Sequence, residues 1–393
     1  MSAAAIIQPG EIERPLGEIR FLHMPERGSL YRERAERLRA LAPGHSMQDY
    51  LLFAAAICDG QQAALEALPA VPLPREEQLK LCREHGMPPL SAQSWERDPA
   101  WREALGPIAA RVEQHANPVA RAALARLRHM NDAALEACAD AVLEGRYEDT
   151  DLSIAPFAAA ALQVYWMHMA ATLGARAFGQ EGVSTLCPVC ASHPVASVVH
   201  IGSAEQGLRY VSCSLCDTQW HAVRVKCSNC DSTKGISYFM VEGSSGAVKA
   251  EACDECGTYL KIMYMDKDYH VDPVADDLAT LGLDLMMGDI GMARSGRNLF
   301  LMTGASPRTE WLKGCLVLDP KGFILTGRDL DGAGAIEGNP RWPLDRAPEM
   351  LETSLPGVFA VGDVRAGNVK RVASAVGEGA ISIHLVHRAL AEL

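Results

Sequence analysis

The chain has 393 residues, of which 48% are hydrophobic and 22% are charged, as expected for a soluble globular protein of two or three domains. Its 49 acidic residues outnumber its 37 Lys and Arg residues, and the net charge of -12 argues against nucleic-acid binding, which requires a basic surface. The N-terminal residues show neither a basic region nor a long apolar core, so we expect no secretory signal and a cytoplasmic protein.

The first 180 residues predict a mostly α-helical N-terminal domain. Helix starts are indicated by Ser29 as a possible N-cap, by Asp98 before Pro99 and by Asn117 before Pro118. The segment contains no Ser-His-Asp set, no His-Glu-x-x-His motif and no phosphate-binding loop ending in Gly-Lys-Ser/Thr. The predicted helices cover residues 29–42, 47–67, 75–85, 99–115, 118–129, 131–145 and 156–177.

One apolar run in this domain, residues 155–173, approaches the length of a membrane span. Gln163 and His168 interrupt it, and Pro156 suits the first turn of a helix. We therefore predict a core helix with His168 as a hydrogen-bonded core residue, and no stable membrane insertion. The three cysteines on predicted helices are expected to be buried packing residues; they are Cys58, Cys82 and Cys138.

The most specific feature is a set of four Cys-x-x-Cys turns, here called knuckles. The pattern C-x2-C-x22-C-x2-C occurs twice, and each cysteine of the second set lies forty positions after its counterpart, which indicates a tandem duplication. The first set is Cys187, Cys190, Cys213 and Cys216, and the second set is Cys227, Cys230, Cys253 and Cys256.

This spacing predicts two metal sites. A knuckle points two sulfurs at one ion, and two knuckles complete a tetrahedral shell of four thiolates, which both iron and zinc accept. A redox-active dithiol is the alternative, but that motif occurs once per active site, and a disulfide framework needs an oxidising compartment. The knuckles could be used in sequence or interleaved. We favour sequential use because each repeat is self-contained.

The intervals between knuckles predict β-hairpins. Residues 195–201 and 208–212 are rich in β-formers around a turn bounded by Gly202 and Gly207. Residues 236–241 and 247–252 repeat this arrangement. The expected modules are two tandem rubredoxin-like or zinc-ribbon units, at 181–226 and 227–270.

A further helix is predicted within the segment 271–298. It begins at Asp272 and Pro273 and continues to about Met287. Its aspartates, Asp276, Asp277 and Asp284, are expected on a solvated face.

The runs CPVCASHPVASVVH, GLRYVSCSLCDTQWHAVRVKCSNCDSTKGISYF and CDECGTYLKI resemble the formate dehydrogenase accessory proteins of the FdhE type. The resemblance covers residues 1 to about 300. It implies a cytoplasmic maturation factor that is not an enzyme, that acts on the catalytic subunit of a formate dehydrogenase and that holds two rubredoxin-type metals on the same eight cysteines. Ala191 and Asp231 stand where such families often place glycine, so Ala191 is expected to be mildly strained or to sit differently.

The last segment, 299–393, resembles the C-terminal end of a thioredoxin-reductase-type flavoprotein, with Asp363 matching a flavin-contacting aspartate. This implies a partial, Rossmann-like α/β fragment with a strand, a Gly-Asp turn and a terminal helix. The best candidate for a dinucleotide motif, Gly332 to Gly338, has the wrong spacing, so we expect no bound FAD. An FAD-dependent oxidoreductase and a nucleic-acid-binding zinc ribbon are the alternative functions.

Overall fold

A computed structural model describes residues 19–146, 151–179, 185–202 and 205–299, followed by 309–320, 322–333, 342, 344, 346–367 and 372–391. The chain forms two compact units, Met1–Met302 and Thr303–Leu393. Residues 1–18, where no secretory signal is expected, lie outside the described residues.

The first part of the larger unit is helical, as predicted. The predicted helix 99–115 is a 3-10 helix, Pro99–Ala104, followed directly by an α-helix, Leu105–Glu113, and the other predicted helices lie within a few residues of their expected bounds. The helices are α1 (Leu30–Leu41), α2 (Gln48–Ala67), α3 (Glu76–His85), α4 (Leu105–Glu113), α5 (Pro118–His129), α6 (Asp132–Glu144) and α7 (Ala155–Leu173).

The three predicted helix starts are confirmed, and at two of them the side chain makes the cap hydrogen bond. Asp98 accepts a hydrogen bond from the Ala100 amide at 2.9 Å, and Asn117 accepts one from the Ala120 amide at 2.8 Å. Ser29 lies at the N-cap of α1, but its side chain makes no cap hydrogen bond. Its hydroxyl lies instead 3.4 Å from the Glu26 carboxylate.

Helix α7 is the centre of the core, as predicted for the apolar run. Its residues from Ala155 to Ala170 are all buried. His168 is buried as expected and burial lowers its pKa, but its Nδ1 atom has no hydrogen-bond partner among the described residues. Within the described part of the chain, no helix has the length and apolarity that a membrane span requires.

One sheet contains the strands of both ribbons. The strands are β1 (Leu22–His23), β2 (Pro194–Val199), β3 (Arg209–Cys213), β4 (Gln219–Ala222), β5 (Ile236–Phe239), β6 (Val248–Cys253), β7 (Thr258–Tyr264) and β8 (Ala293–Arg294). Their order is β1-β4-β3-β2-β7-β6-β5, and β8 pairs with β7. Parallel pairing of β2 with β7 joins the two hairpins, so the ribbons expected to be self-contained share a continuous sheet.

The segment after the ribbons forms two short helices, α8 (Ala275–Ala279) and α9 (Leu281–Asp289), instead of the single helix predicted. The expectation of a solvated aspartate face is also wrong, since Asp277 is fully buried. Its carboxylate lies 3.1 Å from Lys261 Nζ and 2.7 Å from Arg294 Nη2. These cations lie on β7 and β8, so the charges pack against the sheet.

The smaller unit contains 3-10 turns, isolated β-bridges and one long helix, α10 (Val372–Ala391). The predicted terminal helix is present, but the described residues of this unit form no strand longer than an isolated bridge, and the Rossmann-like fragment is not confirmed. The Gly-Asp turn is the 3-10 turn Gly362–Val364, where the Gly362 amide donates to Glu378 of α10 at 2.8 Å. Residues 300–308 and 334–340 of the proposed flavoprotein motifs lie outside the described residues.

Candidate metal centre

Each knuckle ends with a residue in the left-handed backbone conformation. The φ angles are 59° at Ala191, 57° at Asp217, 66° at Asp231 and 65° at Gly257. Ala191 therefore adopts the glycine-like conformation despite the steric cost of its Cβ atom. The turn is closed by a hydrogen bond of 2.8 Å from the Ala191 amide to the Cys187 carbonyl.

Backbone amides point at the sulfurs in both clusters. The Leu215 and Cys216 amides donate to Cys213 Sγ at 3.3 and 3.4 Å. In the second cluster, the Asn229 and Cys230 amides donate to Cys227 Sγ at the same two distances. Such bonds stabilise thiolates, the form in which cysteine binds a metal.

The eight sulfurs gather into two groups of four, and each group comes from one repeat. In the first cluster, the Sγ atoms of Cys187 and Cys216 lie 3.6 Å apart and those of Cys190 and Cys213 lie 3.4 Å apart. The corresponding distances in the second cluster, Cys227 to Cys256 and Cys230 to Cys253, are both 3.7 Å.

These distances fit a shared ion. They exceed the disulfide bond length of about 2.05 Å, and all eight cysteines are free. Sulfurs placed about 2.3 Å from a tetrahedral ion lie about 3.8 Å from one another. Each four-cysteine cluster could therefore hold one metal ion, although the geometry suits iron and zinc equally.

Each cluster contains a thiol with a lowered pKa. Burial opposes ionisation of Cys190, but hydrogen bonds from Cys187, Cys213 and Cys216 bring its pKa well below the ordinary value. Burial also opposes ionisation of Cys256, whereas hydrogen bonds, first of all from Thr258, lower its pKa to about 6. The hydrogen bonds to Cys190 and Cys256 favour the thiolate, the form in which cysteine binds a metal.

The two clusters differ in their exposure to solvent. All four cysteines of the first cluster are buried and belong to the main hydrophobic core. In the second cluster Cys230 is exposed and Cys256 is partly exposed. The first cluster is therefore part of the core of the larger unit, and the second can be reached from solvent.

Backbone contacts attach the first cluster to the helical domain. The Leu90 amide donates to the Val189 carbonyl at 3.0 Å, and the Ala92 amide donates to the Cys190 carbonyl at 2.9 Å. From α7, Gln163 donates to the Ser214 carbonyl at 2.8 Å. Both knuckles of this cluster are thus held by residues that lie outside the ribbon.

A buried ion pair makes a further connection. Arg34 on α1 donates through Nη2 to Asp217 at 2.8 Å and through Nε to Asp272 at 3.1 Å. Arg34 and Asp217 are both almost completely buried, and Asp217 is the left-handed residue that directly follows Cys216. Sequence analysis did not predict this pair, because the two residues are 183 positions apart.

The other cysteines considered in the sequence, and Asp363, lie outside the two four-cysteine clusters. Cys58 and Cys138 are buried packing residues as expected, and burial raises the pKa of Cys138 to about 11. Cys82 is only partly buried. Asp363 is exposed in the smaller unit.

The fold and the clusters define a class of protein in which a helical domain carries two tandem four-cysteine ribbons on one sheet. Three family models match the chain consecutively: "FdhE, N-terminal" over residues 19–181, "FdhE, central domain" over 186–224 and "FdhE, C-terminal domain" over 225–301. The chain belongs to the FdhE family.

Individual relatives agree with the family models. An FdhE homolog from Edwardsiella ictaluri is 46% identical over 290 residues, which are 74% of this chain and 94% of that protein. One from Pseudomonas aeruginosa is 41% identical over 304 residues, with 76% and 98% covered. The crystal structure of the FdhE protein from Pseudomonas aeruginosa is similar, with a TM-score of 0.67 and 40% identity, and the match covers 72% of this chain and 100% of that one.

Proposed function

We propose that this chain is a formate dehydrogenase maturation protein that binds two metal ions through its eight knuckle cysteines. It acts in the cytoplasm on the catalytic subunit of the dehydrogenase and is not itself an enzyme. The observation that carries this proposal is the presence of two separate four-cysteine clusters in an FdhE-family fold. Family membership favours this function over an FAD-dependent reductase or a nucleic-acid-binding ribbon.

The first metal ion would be held by Cys187, Cys190, Cys213 and Cys216, and the second by Cys227, Cys230, Cys253 and Cys256. Either ion, iron or zinc, would cross-link two knuckles and contribute to folding. The amides that point at the sulfurs and the lowered pKa values of Cys190 and Cys256 prepare the clusters for a cation.

The difference in burial supports a division of roles. The first cluster is buried and bonded to α1, α7 and the loop at Leu90, so its ion has a structural role between the helices and the sheet. The second cluster is open to solvent at Cys230. It is therefore the cluster whose ion can respond to the dehydrogenase or exchange with the surroundings.

The test is complementation of a strain that lacks the gene. The wild-type chain is expected to restore formate dehydrogenase activity and to co-purify with the catalytic subunit. Cys230→Ser should fail to restore activity, because it removes a ligand from the accessible cluster without touching the core. Cys315→Ser is the matched control, since Cys315 is also an exposed cysteine but lies outside both clusters. Normal dehydrogenase activity in the deletion strain would contradict the proposal.

A further inference from the structure

A third group of metal-ligating side chains lies on the sheet, apart from the cysteines. His23 is on β1, His200 directly follows β2, and Glu205 lies in the turn between β2 and β3. One ligand atom from each residue lies within 4.8 Å of the other two. His23 is far from His200 and Glu205 in the sequence, and the pairing of β1 with β4 brings it to the first ribbon.

The contacts within this group resemble ligands that share an ion. His23 Nε2 lies 3.0 Å from Glu205 Oε1, and His200 Nδ1 lies 3.3 Å from Glu205 Oε2. Despite its distance to Glu205, the buried His23 Nε2 makes no hydrogen bond of normal geometry within the described residues. Two ligand atoms about 2.1 Å from a tetrahedral ion lie about 3.4 Å apart and point at the ion instead of at each other.

Neighbouring residues orient the ligands. Gln219 Oε1 lies 3.1 Å from His200 Nε2 and accepts a hydrogen bond from it in the Nε2–H tautomer. In that tautomer Nδ1 carries the lone pair on the side of Glu205 and can bind an ion, as in metal-bound histidines whose other nitrogen donates to an outer partner. The ring of Tyr210 lies against both imidazoles, with centroids 4.5 Å from His23 and 4.7 Å from His200.

The group is partly open to solvent. The three side chains are each between 18% and 24% exposed, which leaves room for a water molecule as a fourth ligand.

We propose that His23, His200 and Glu205 form a third metal site that binds one divalent transition-metal ion such as Zn²⁺. Two histidines and one carboxylate are a ligand set of zinc and of non-haem iron sites with an open position. The ion cross-links β1, which precedes the helical domain, to the first ribbon. Because no cysteine is shared, this site is independent of the two thiolate clusters.

The test uses the full chain with its cysteine clusters already filled with Zn²⁺. Equilibrium dialysis against additional Zn²⁺ is expected to show three ions per wild-type chain, and two for His23→Ala and for Glu205→Gln. Co²⁺ added to the same zinc-filled protein should give a visible spectrum of a nitrogen and oxygen site, without thiolate charge-transfer bands. Gln219→Leu should keep the site but weaken binding about 10-fold to 100-fold, because it removes an outer partner.

His221→Ala is the matched control. His221 lies on β4 beside Tyr210 but outside the three-residue group, and its replacement should leave the third ion in place. Retention of two zinc ions in the cysteine clusters shows that each variant is folded. The proposal is overturned if the wild-type chain binds only two ions, or if His221→Ala loses the third ion while His23→Ala and Glu205→Gln retain it.

Discussion

The ion pair between Arg34 and Asp217 provides a quantitative test of how the first cluster is attached to the helices. Replacing Arg34 with Met keeps much of the side-chain volume but leaves Asp217 and Asp272 without their cation. Their side chains are 4% and 15% exposed, so water cannot readily replace the lost partner. Removing one member of a buried pair costs about 3–5 kcal/mol, because the remaining charge stays buried.

This loss of unfolding free energy can be measured by urea unfolding followed by tryptophan fluorescence, since Trp101 and Trp166 are fully buried in the helical domain. With a slope of about 3 kcal/mol per M, the loss corresponds to a midpoint lowered by roughly 1 to 1.7 M. The variant should also release the ion of the first cluster earlier in the titration, because Asp217 adjoins Cys216.

Arg39→Met is the matched control. It makes the same substitution on the same helix, but the pair of Arg39 with Asp59 is 46% and 34% exposed, and such pairs contribute about 0–1 kcal/mol. Asp217→Asn in the Arg34→Met background should recover part of the stability, because it removes a buried charge. Equal and small effects of Arg34→Met and Arg39→Met would refute the reasoning.

Three further predictions concern packing, pH and metal release. Gly60→Ala should destabilise the protein by about 1–3 kcal/mol, because the new Cβ would lie 2.5 Å from Ile108 Cα. Gly106→Ala is the control, since its Cβ meets no atom within 4 Å and should stabilise α4 by about 0.5–1 kcal/mol. Thermal unfolding measures both variants, and equal shifts in melting temperature would contradict the close packing of α2 on α4. Burial acts to raise the pKa of Asp277, but Lys261 and Arg294 hold it below the ordinary value. The stabilisation by ionised Asp277 is therefore present above about pH 4 and lost as the pH falls through the folded-state pKa. The Asp277→Asn variant should accordingly lose less stability on acidification than the wild type. Melting temperatures that fall equally in both proteins from pH 6 to pH 3 would contradict this. A chromogenic chelator should remove one thiolate-bound ion quickly and the other slowly, because only the second cluster is open to solvent. The Cys227→Ser variant should show only the slow phase of metal release. A single phase in the wild type would show that burial does not control the release rate.

Features set by local sequence were predictable. The helix bounds follow from apolar periodicity together with residues such as Asn117 and Pro118, which act within one turn. The grouping of four cysteines per repeat likewise follows from spacing, because a knuckle and a hairpin bring their own sulfurs together. In both cases the interacting residues are close in the chain or joined by a short hairpin.

Features that depend on distant partners were not predictable. The parallel pairing of β2 with β7 joins two repeats that each appear complete in the sequence. Asp277 of α8 was expected in solvent because charge alone does not reveal that Lys261 and Arg294 lie opposite it. His23 is not part of a sequence motif, because the other residues of the proposed third metal site, His200 and Glu205, lie far away in the chain.

The central claim is that the chain holds two separate thiolate-bound metal ions, one per repeat. Its most direct test is the thiolate charge-transfer absorbance of the cobalt-substituted protein, which counts sulfur-bound ions alone. The wild-type chain is expected to show two such ions, and Cys187→Ser and Cys227→Ser are each expected to show one. Loss of both ions in the Cys227→Ser variant, or no loss in either variant, would contradict two independent clusters.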